Sequence, residues 1–415
     1  MTAAGETTHR AIELAARHSY GKLVAFLAAR TGDVAGAEDA LSEAFAAALK
    51  SWPTDGVPGK PEAWLLAVAR RRRIDAARKR KTRADATETL MLLADEIEEA
   101  AAAASDIPDE RLRLMFACAH PAIEEAARAP LILQAVLGLE AGAIASAFLV
   151  APSAMSQRLV RAKRKIRDTK IPFRVPEREE LGERLATVLD AVYAAFAEGW
   201  ADPAGTLARR RDLAEEAIWL GRLLASLMPD EPEALGLLAL MLHAEARRAA
   251  RRDTNGEFVP LDAQDTALWD AALIEEAETL LLRASRMGRI GRFQLEAAVQ
   301  SAHAVRRLSG AADWAAIVAL YDALLAQTGS LVVAINRAVA VAEIEGARAG
   351  LAILDHYAAD PRLAEYQPYW AARAGLLALT DDKAAAADAY DRAIGLEPDP
   401  AVRRFLLGKK ARLRN

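Results

Sequence analysis

The chain is 415 residues long, about two to three times an average domain, so several folded units are expected. With 53 % hydrophobic and 27 % charged residues it is too apolar to be disordered throughout; aromatic residues at 6 % and long runs of Ala, Leu, Glu and Arg predict an all-α fold. The net charge of −4 hides a split, because residues 1–176 carry 26 Lys+Arg against 22 Asp+Glu and the remainder 28 against 36. The single cysteine, Cys118, excludes an internal disulfide or a thiolate metal cluster and fits a reducing cytoplasm. No charge-free run of about 18 apolar residues occurs, and Met1 to Arg10 lacks the pattern of an export signal, so neither a membrane span nor secretion is expected.

Along the chain, Ile12, Leu23, Val24, Leu27, Ala37, Leu41, Ala44, Phe45 and Ala48 fall at helical spacings around a break at Thr31-Gly32-Asp33, predicting two packed helices. Trp52-Pro53 and the stretch to Pro61 are expected to form a loop. Pro61 and Glu62 then open a third helix with an apolar face of Trp64, Leu65, Val68, Ala69 and Ile74. Its far end is a basic cluster of Arg70, Arg71, Arg72, Arg73, Arg78, Lys79, Arg80, Lys81 and Arg83, interrupted only by Asp75. Residues 84–110 hold nine acids and no base, an acidic linker.

Three further helices are expected over Arg111 to His120, Glu124 to Leu137 and Ala141 to Phe148. Residues 139–167 have the layout of a helix-turn-helix, with Ile144, Ala145 and Phe148 packing the first helix and Leu149-Val150 in the turn. Pro152 starts a second helix packed through Met155, Leu159 and Ala162, which presents Ser153, Ala154, Ser156, Gln157, Arg158 and Arg161 outward, toward a major groove if DNA is the ligand. Lys163, Arg164, Lys165, Arg167 and Lys170 continue this second basic cluster. Two basic patches on either side of an acidic tether suggest a polyanion gripped at two places, two solvated helix faces being the blander alternative.

Ile171 to Pro176 breaks the pattern and marks a domain boundary. Long amphipathic helices follow over residues 181–250, then a polar loop from Arg251 to Asp265, then helices at Trp269 to Ala284 and Gln294 to Leu308. Near the end, Trp370, Ala374, Ala386, Tyr390, Ala393 and Pro398 match the small and aromatic positions of a 34-residue tetratricopeptide unit. A shift of 34 back finds Asn336, Ala340, Ala352, His356 and Ala359, and a weaker third copy surrounds Trp314 to Gln327, plain antiparallel helices being the alternative for both.

These pieces together resemble a sigma factor of bacterial RNA polymerase, of the extracytoplasmic-function group of the sigma-70 family and its subgroup with a tetratricopeptide-like helical extension. The resemblance rests on DVAGAEDALSEAFAAAL at 33–49, WP at 52, PEAWLLAVARRRRIDAARKR at 61–80, LRLMFACAHPAI at 112–123 and RLVRAKRKIRDTKIPFRVP at 158–176. It extends to DAVYAAFAEGW at 190–200 and LMPDEPEALGLLALMLHAEARRAAR at 227–251. It implies a region 2 domain over 9–83, the linker over 84–110, a region 4 domain over 111–172, a helical extension over 177–293 and repeats over 294–412. It implies core-polymerase contacts at Asp39, Leu41, Glu43 and Phe45, Phe45 also fitting a core position. It implies −10 element contacts at Trp64, Arg70, Arg71, Arg72, Arg73, Arg78, Lys79 and Arg80, Trp64 fitting a core position equally well. It implies −35 contacts at Ser153, Ser156, Gln157, Arg158, Arg161, Lys163, Arg164 and Lys165. The sequence departs from the family at Ala151, where a capping Ser is frequent, at Leu149, where Gly is frequent, and around Cys118, where paired cysteines are frequent.

No phosphate loop, Gly-x-Ser-x-Gly or His-Glu-x-x-His occurs, and the six histidines are scattered, so no enzyme, metal or cofactor is expected. Expected partners are core RNA polymerase, promoter DNA, and a regulatory protein or another part of the same chain at the C-terminal repeats. A stand-alone helix-turn-helix regulator explains the second basic cluster without the helices at 33–80, and a repeat adaptor explains neither cluster.

Overall fold

The computed structural model describes residues 12, 19–80, 109–148, 150–200, 208–380 and 382–413. The predicted linker lies outside these residues apart from Asp109 and Glu110. All regular elements among the described residues are helices, as expected, and the chain divides into two compact units, Met1–Ala195 and Phe196–Asn415.

The first unit opens with α1 (19–31), α2 (Val34–Asp55) and α3 (Pro61–Arg80). Asp33 caps α2, its carboxylate accepting from the Gly36 N–H at 3.0 Å and so satisfying one of the free donors of the first turn. Leu23, Val24, Phe26, Leu27, Leu41, Ala44, Leu65 and Leu66 are among the buried apolar side chains these three helices contribute to the core. The loop expected from Trp52 onward is a correction: α2 continues through Trp52 and Pro53 to Asp55. Trp52 is buried and meets the Trp64 ring edge-on at a centroid distance of 5.4 Å, and this packing outweighs the single backbone bond that Pro53 forfeits near the helix end.

The second half of this unit holds α4 (Arg111–Cys118), α5 (Glu125–Leu137), α6 (Ala141–Ala147) and α7 (Pro152–Asp168). The two halves touch. A Cβ at Gly21 in α1 would stand 2.0 Å from the carbonyl oxygen of Val136, so only glycine allows α1 to cross the end of α5 this closely. Gly138, at φ 68°, ends α5 in a left-handed turn beside the ring of Tyr20. The next helix, α8 (Arg178–Trp200), is tied to this unit at its start by Arg128–Glu183 and Arg174–Glu180 ion pairs at 3.0 Å. The division between units therefore falls inside α8 rather than at Pro176.

The second unit contains α9 (Ala208–Leu227), α10 (Pro232–Ala246), α11 (Ala271–Ser285), α12 (Arg292–Ala304), α13 (Arg306–Ser309) and α14 (Trp314–Thr328). It ends with α15 (Leu331–Glu345), α16 (Ala347–Tyr357), α17 (Gln367–Ala378), α18 (Lys383–Leu396) and α19 (Pro400–Arg412). Aspartates at 270, 313, 382 and 399 cap α11, α14, α18 and α19 by accepting first-turn N–H groups. α10 is buried along most of its length and packs on both α11 and α12, so the expected division at 293/294 is not a break in the packing. The expected loop at 251–265 is partly ordered by short 3-10 turns at Arg248–Arg251 and Leu261–Ala263.

The hairpin of α17 and α18 buries Ala374, Ala386, Tyr390 and Ala393. In the preceding hairpin the equivalent buried positions are Ala338, Gly350 and Leu354, whereas Asn336, Ala352, His356 and Ala359 are exposed. Ala340 is buried, but against Ala302 and Ile317. The spacing is thus two residues longer than the 34 predicted, and an error of two turns a helix by about 200°, onto its opposite face. No helix among the described residues is long and apolar enough to cross a membrane.

Candidate nucleic-acid interface

The first candidate surface follows from the way α3 is seated. Pro61 and Glu62 occupy its first turn, and the Glu62 carboxylate accepts from Ser19 Oγ at 2.5 Å, anchoring the helix start to α1. Leu65, Leu66 and Ala69 are buried, and Trp64 is half-buried against Trp52. One turn later Arg71 and Arg72 project to solvent, with Arg70 and Arg73 half-buried beside them. The side chains of Arg78, Lys79 and Arg80 lie outside the described residues. Arg72 Nε stands 3.4 Å from Glu43 Oε2, an ion pair more than half exposed on both sides. Such a pair is worth about 0–1 kcal/mol and releases either partner readily.

On α2, Asp39 and Glu43 are exposed, as expected of contacts to another protein, and Phe45 is half-buried. Leu41 is a correction: it is completely buried and is not on an outside surface.

The second surface is α7. Ala151 offers no side-chain cap, so Pro152 starts the helix, its φ already set for the first turn. Met155, Leu159, Ala162 and Ile166 form the buried stripe. Ser153, Ser156, Gln157, Arg161, Arg164 and Lys165 are exposed on the other side, and Arg158 is half-buried with Nη1 donating to the Ala126 carbonyl at 3.3 Å. Val160 was missed by the sequence reading. It is 57 % exposed in the middle of the outward face, and an apolar residue between polar ones on a helix otherwise patterned for solvent was the available signal.

Lys163 is the second correction. It does not face outward: it pairs with Glu38 of α2, both side chains being nearly enclosed. One residue beyond Ala162, it sits on the flank of the buried stripe, where α2 reaches it. Burial raises the Glu38 carboxyl and Lys163 opposes that rise. Cys118, fully buried, lies within electrostatic reach of both, and burial pushes its thiol up.

Among the described residues no group of three or more His, Cys, Asp and Glu is arranged to hold a metal ion. Burial lowers His243 and His303 to about 4, which keeps them neutral near pH 7.

Compared with known proteins, residues 16–83 match the family Sigma-70 region 2, and residues 184–285 match a family of unknown function (DUF6596). The chain is 41 % identical over 364 residues to an uncharacterized protein of Rhizobium meliloti (strain 1021), covering 87 % of this chain and 86 % of that one. No solved structure matches.

Proposed function

We propose, from the match of residues 16–83 to Sigma-70 region 2, that the chain is a sigma factor of the sigma-70 family, acting in transcription initiation by binding core RNA polymerase and promoter DNA, and that it is of the extracytoplasmic-function group with a regulatory C-terminal arm. Asp39 and Glu43 dock on core polymerase. The Arg70–Arg73 face of α3 engages the −10 element, holding phosphates and opened bases. The outward face of α7, with Gln157, Arg161 and Arg164, reads the −35 element in the major groove, where Val160 meets a thymine methyl group. The protein acts by binding, with no catalytic step of its own, in the cytoplasm.

The observation that carries this reading is α7 itself, which buries Met155, Leu159, Ala162 and Ile166 and leaves free a mainly polar and basic face in which Val160 is exposed. Supporting it, the closed contact between Glu38 and Lys163 makes sense as a resting state. A compact unit of this size has a radius of gyration of about 16 Å, hence a width of about 40 Å. Elements about 25 base pairs apart stand about 85 Å from each other at 3.4 Å per step. The two halves therefore separate when both elements are engaged.

Run-off transcription with purified core polymerase tests the proposal. A defined start site that vanishes with Gln157→Ala plus Arg161→Ala supports it. Full-length protein that forms no holoenzyme on any promoter library refutes it.

A further inference from the structure

The second unit carries a concentration of guanidinium groups that promoter and polymerase contacts leave unused. Where α10 ends the chain reads Arg247-Arg248-Ala-Ala-Arg251-Arg252, and the 3-10 turn there brings Arg248 and Arg251 to 5.0 and 4.3 Å from the centre of the Trp200 ring. Arg251 Nη1 donates to the Trp200 carbonyl at 2.9 Å. Arg247 donates to the Gln300 side-chain oxygen and, at 3.3 Å, to the His243 carbonyl. Arg306 donates to the carbonyls of Leu261 and Asp262 at 2.7 and 2.9 Å. All of these acceptors are uncharged. Among the described residues, carboxylates form ion pairs only with Arg248, through Glu245 at 2.7 Å, and with Arg252, through Asp399.

Five cations are thus met by two anions among the described residues. Burial lowers Arg247 and Arg251 to about 10, neighbouring arginines adding to the effect at Arg251. Arg248 Nη2 and Arg252 Nε are enclosed without a hydrogen-bond partner. Glu245 Oε2 is enclosed in the same way and repels an anion, which directs the excess charge to Arg247, Arg251 and Arg306. Charge enclosed without a counter-ion is costly, and planar guanidinium forks match the oxygens of phosphate and carboxylate groups.

We propose that Arg247, Arg251, which lies over the Trp200 ring, and Arg306, which lies over the Trp269 ring, bind a small multiply charged oxyanion, so that the second unit is the ligand-sensing part of the molecule. Binding itself stands on this geometry alone; sensing rests on the proposed role in transcription. Phosphate and carboxylate ligands share the chemistry, and the test separates them.

Thermal unfolding of the intact protein is followed with pyrophosphate, with citrate, and with sodium chloride at matched ionic strength. One of the two oxyanions raises Tm by about 5 °C or more at a hundredfold excess over its Kd. Pyrophosphate acting alone assigns a phosphate ligand, citrate alone a carboxylate. Arg251→Gln and Arg247→Gln each abolish the rise, while their own Tm without ligand stays level or increases, since each removes a cation that forms no ion pair among the described residues. Two variants keep the test decisive if one misfolds. A rise no larger than the chloride control with either oxyanion, or one retained in a folded variant, overturns the site. Run-off transcription in parallel separates the two readings: a protein that initiates normally yet shows no oxyanion-dependent rise loses the site and keeps its function, and the reverse outcome keeps the site.

Discussion

Lys163→Ala removes the cation that faces Glu38 where α2 meets α7. Both side chains are nearly enclosed, 12 and 13 % exposed, so Glu38 left alone must either stay charged in a poor solvent or take up a proton. Leaving one member of a buried pair unmatched costs about 3–5 kcal/mol. Protonating a carboxyl of ordinary pKa ~4.3 at pH 7 costs about 3.7 kcal/mol, which sets the ceiling on the destabilisation of the closed form. At pH 5 that ceiling falls to about 1 kcal/mol. The sign follows from burial raising the Glu38 carboxyl in the closed form: closure of the variant is supported at low pH and weakens as pH rises through the raised value. Small-angle scattering of the intact variant should give a larger radius of gyration than wild type at pH 7.5 and converge on it at pH 5, with faster amide exchange in α1 and α5 at the higher pH. Equal radii and equal exchange at both pH values would refute the claim that this pair holds the two halves together.

Three further outcomes are expected. Arg161→Ala with Arg164→Ala should weaken upstream promoter binding by about 1–3 kcal/mol for each base-reading side chain removed and flatten the salt dependence by about one for each phosphate no longer held, read by footprinting across a salt series. Asp39→Lys with Glu43→Lys should impair assembly with core polymerase while circular dichroism stays unchanged, because both side chains are exposed; normal assembly removes them from the docking face. His243 and His303, held near 4 by burial, are neutral in the folded second unit and charge on unfolding, so stability is full above about pH 6.5 and falls as pH drops toward 4. Thermal unfolding at pH 7.5 and 5 checks this, and His243→Gln with His303→Gln should flatten the difference.

Elements with one-sided apolar patterns were legible in the sequence. α3 and α7 lie where their spacing put them, because Pro at the first position and a stripe such as Met155, Leu159, Ala162 and Ile166 specify start and face together. Lys163 was not legible, since its flank position becomes buried only when α2 supplies Glu38 from more than a hundred residues away. The repeat register slipped for a different reason. α15 to α18 are so rich in alanine that small residues occur on every face, and Ala352 matches the pattern as well as Gly350 while only Gly350 points inward. Arg247 and Arg248 fell within the helices expected over 181–250 and Arg251 opened the expected polar loop, and none was singled out, because a run of charge does not show which of its members will lack a carboxylate.

Cys118 has a use that follows from its solitude. The chain offers one thiol, enclosed within reach of Glu38 and Lys163 and held protonated by its surroundings, so an alkylating reagent finds no thiolate while the halves are shut. Any exposure of that sulfur converts it into an ordinary, slowly reactive cysteine. The rate at which the unaltered protein consumes such a reagent therefore works as a clock for breathing in the first unit, and it does so without any engineered label.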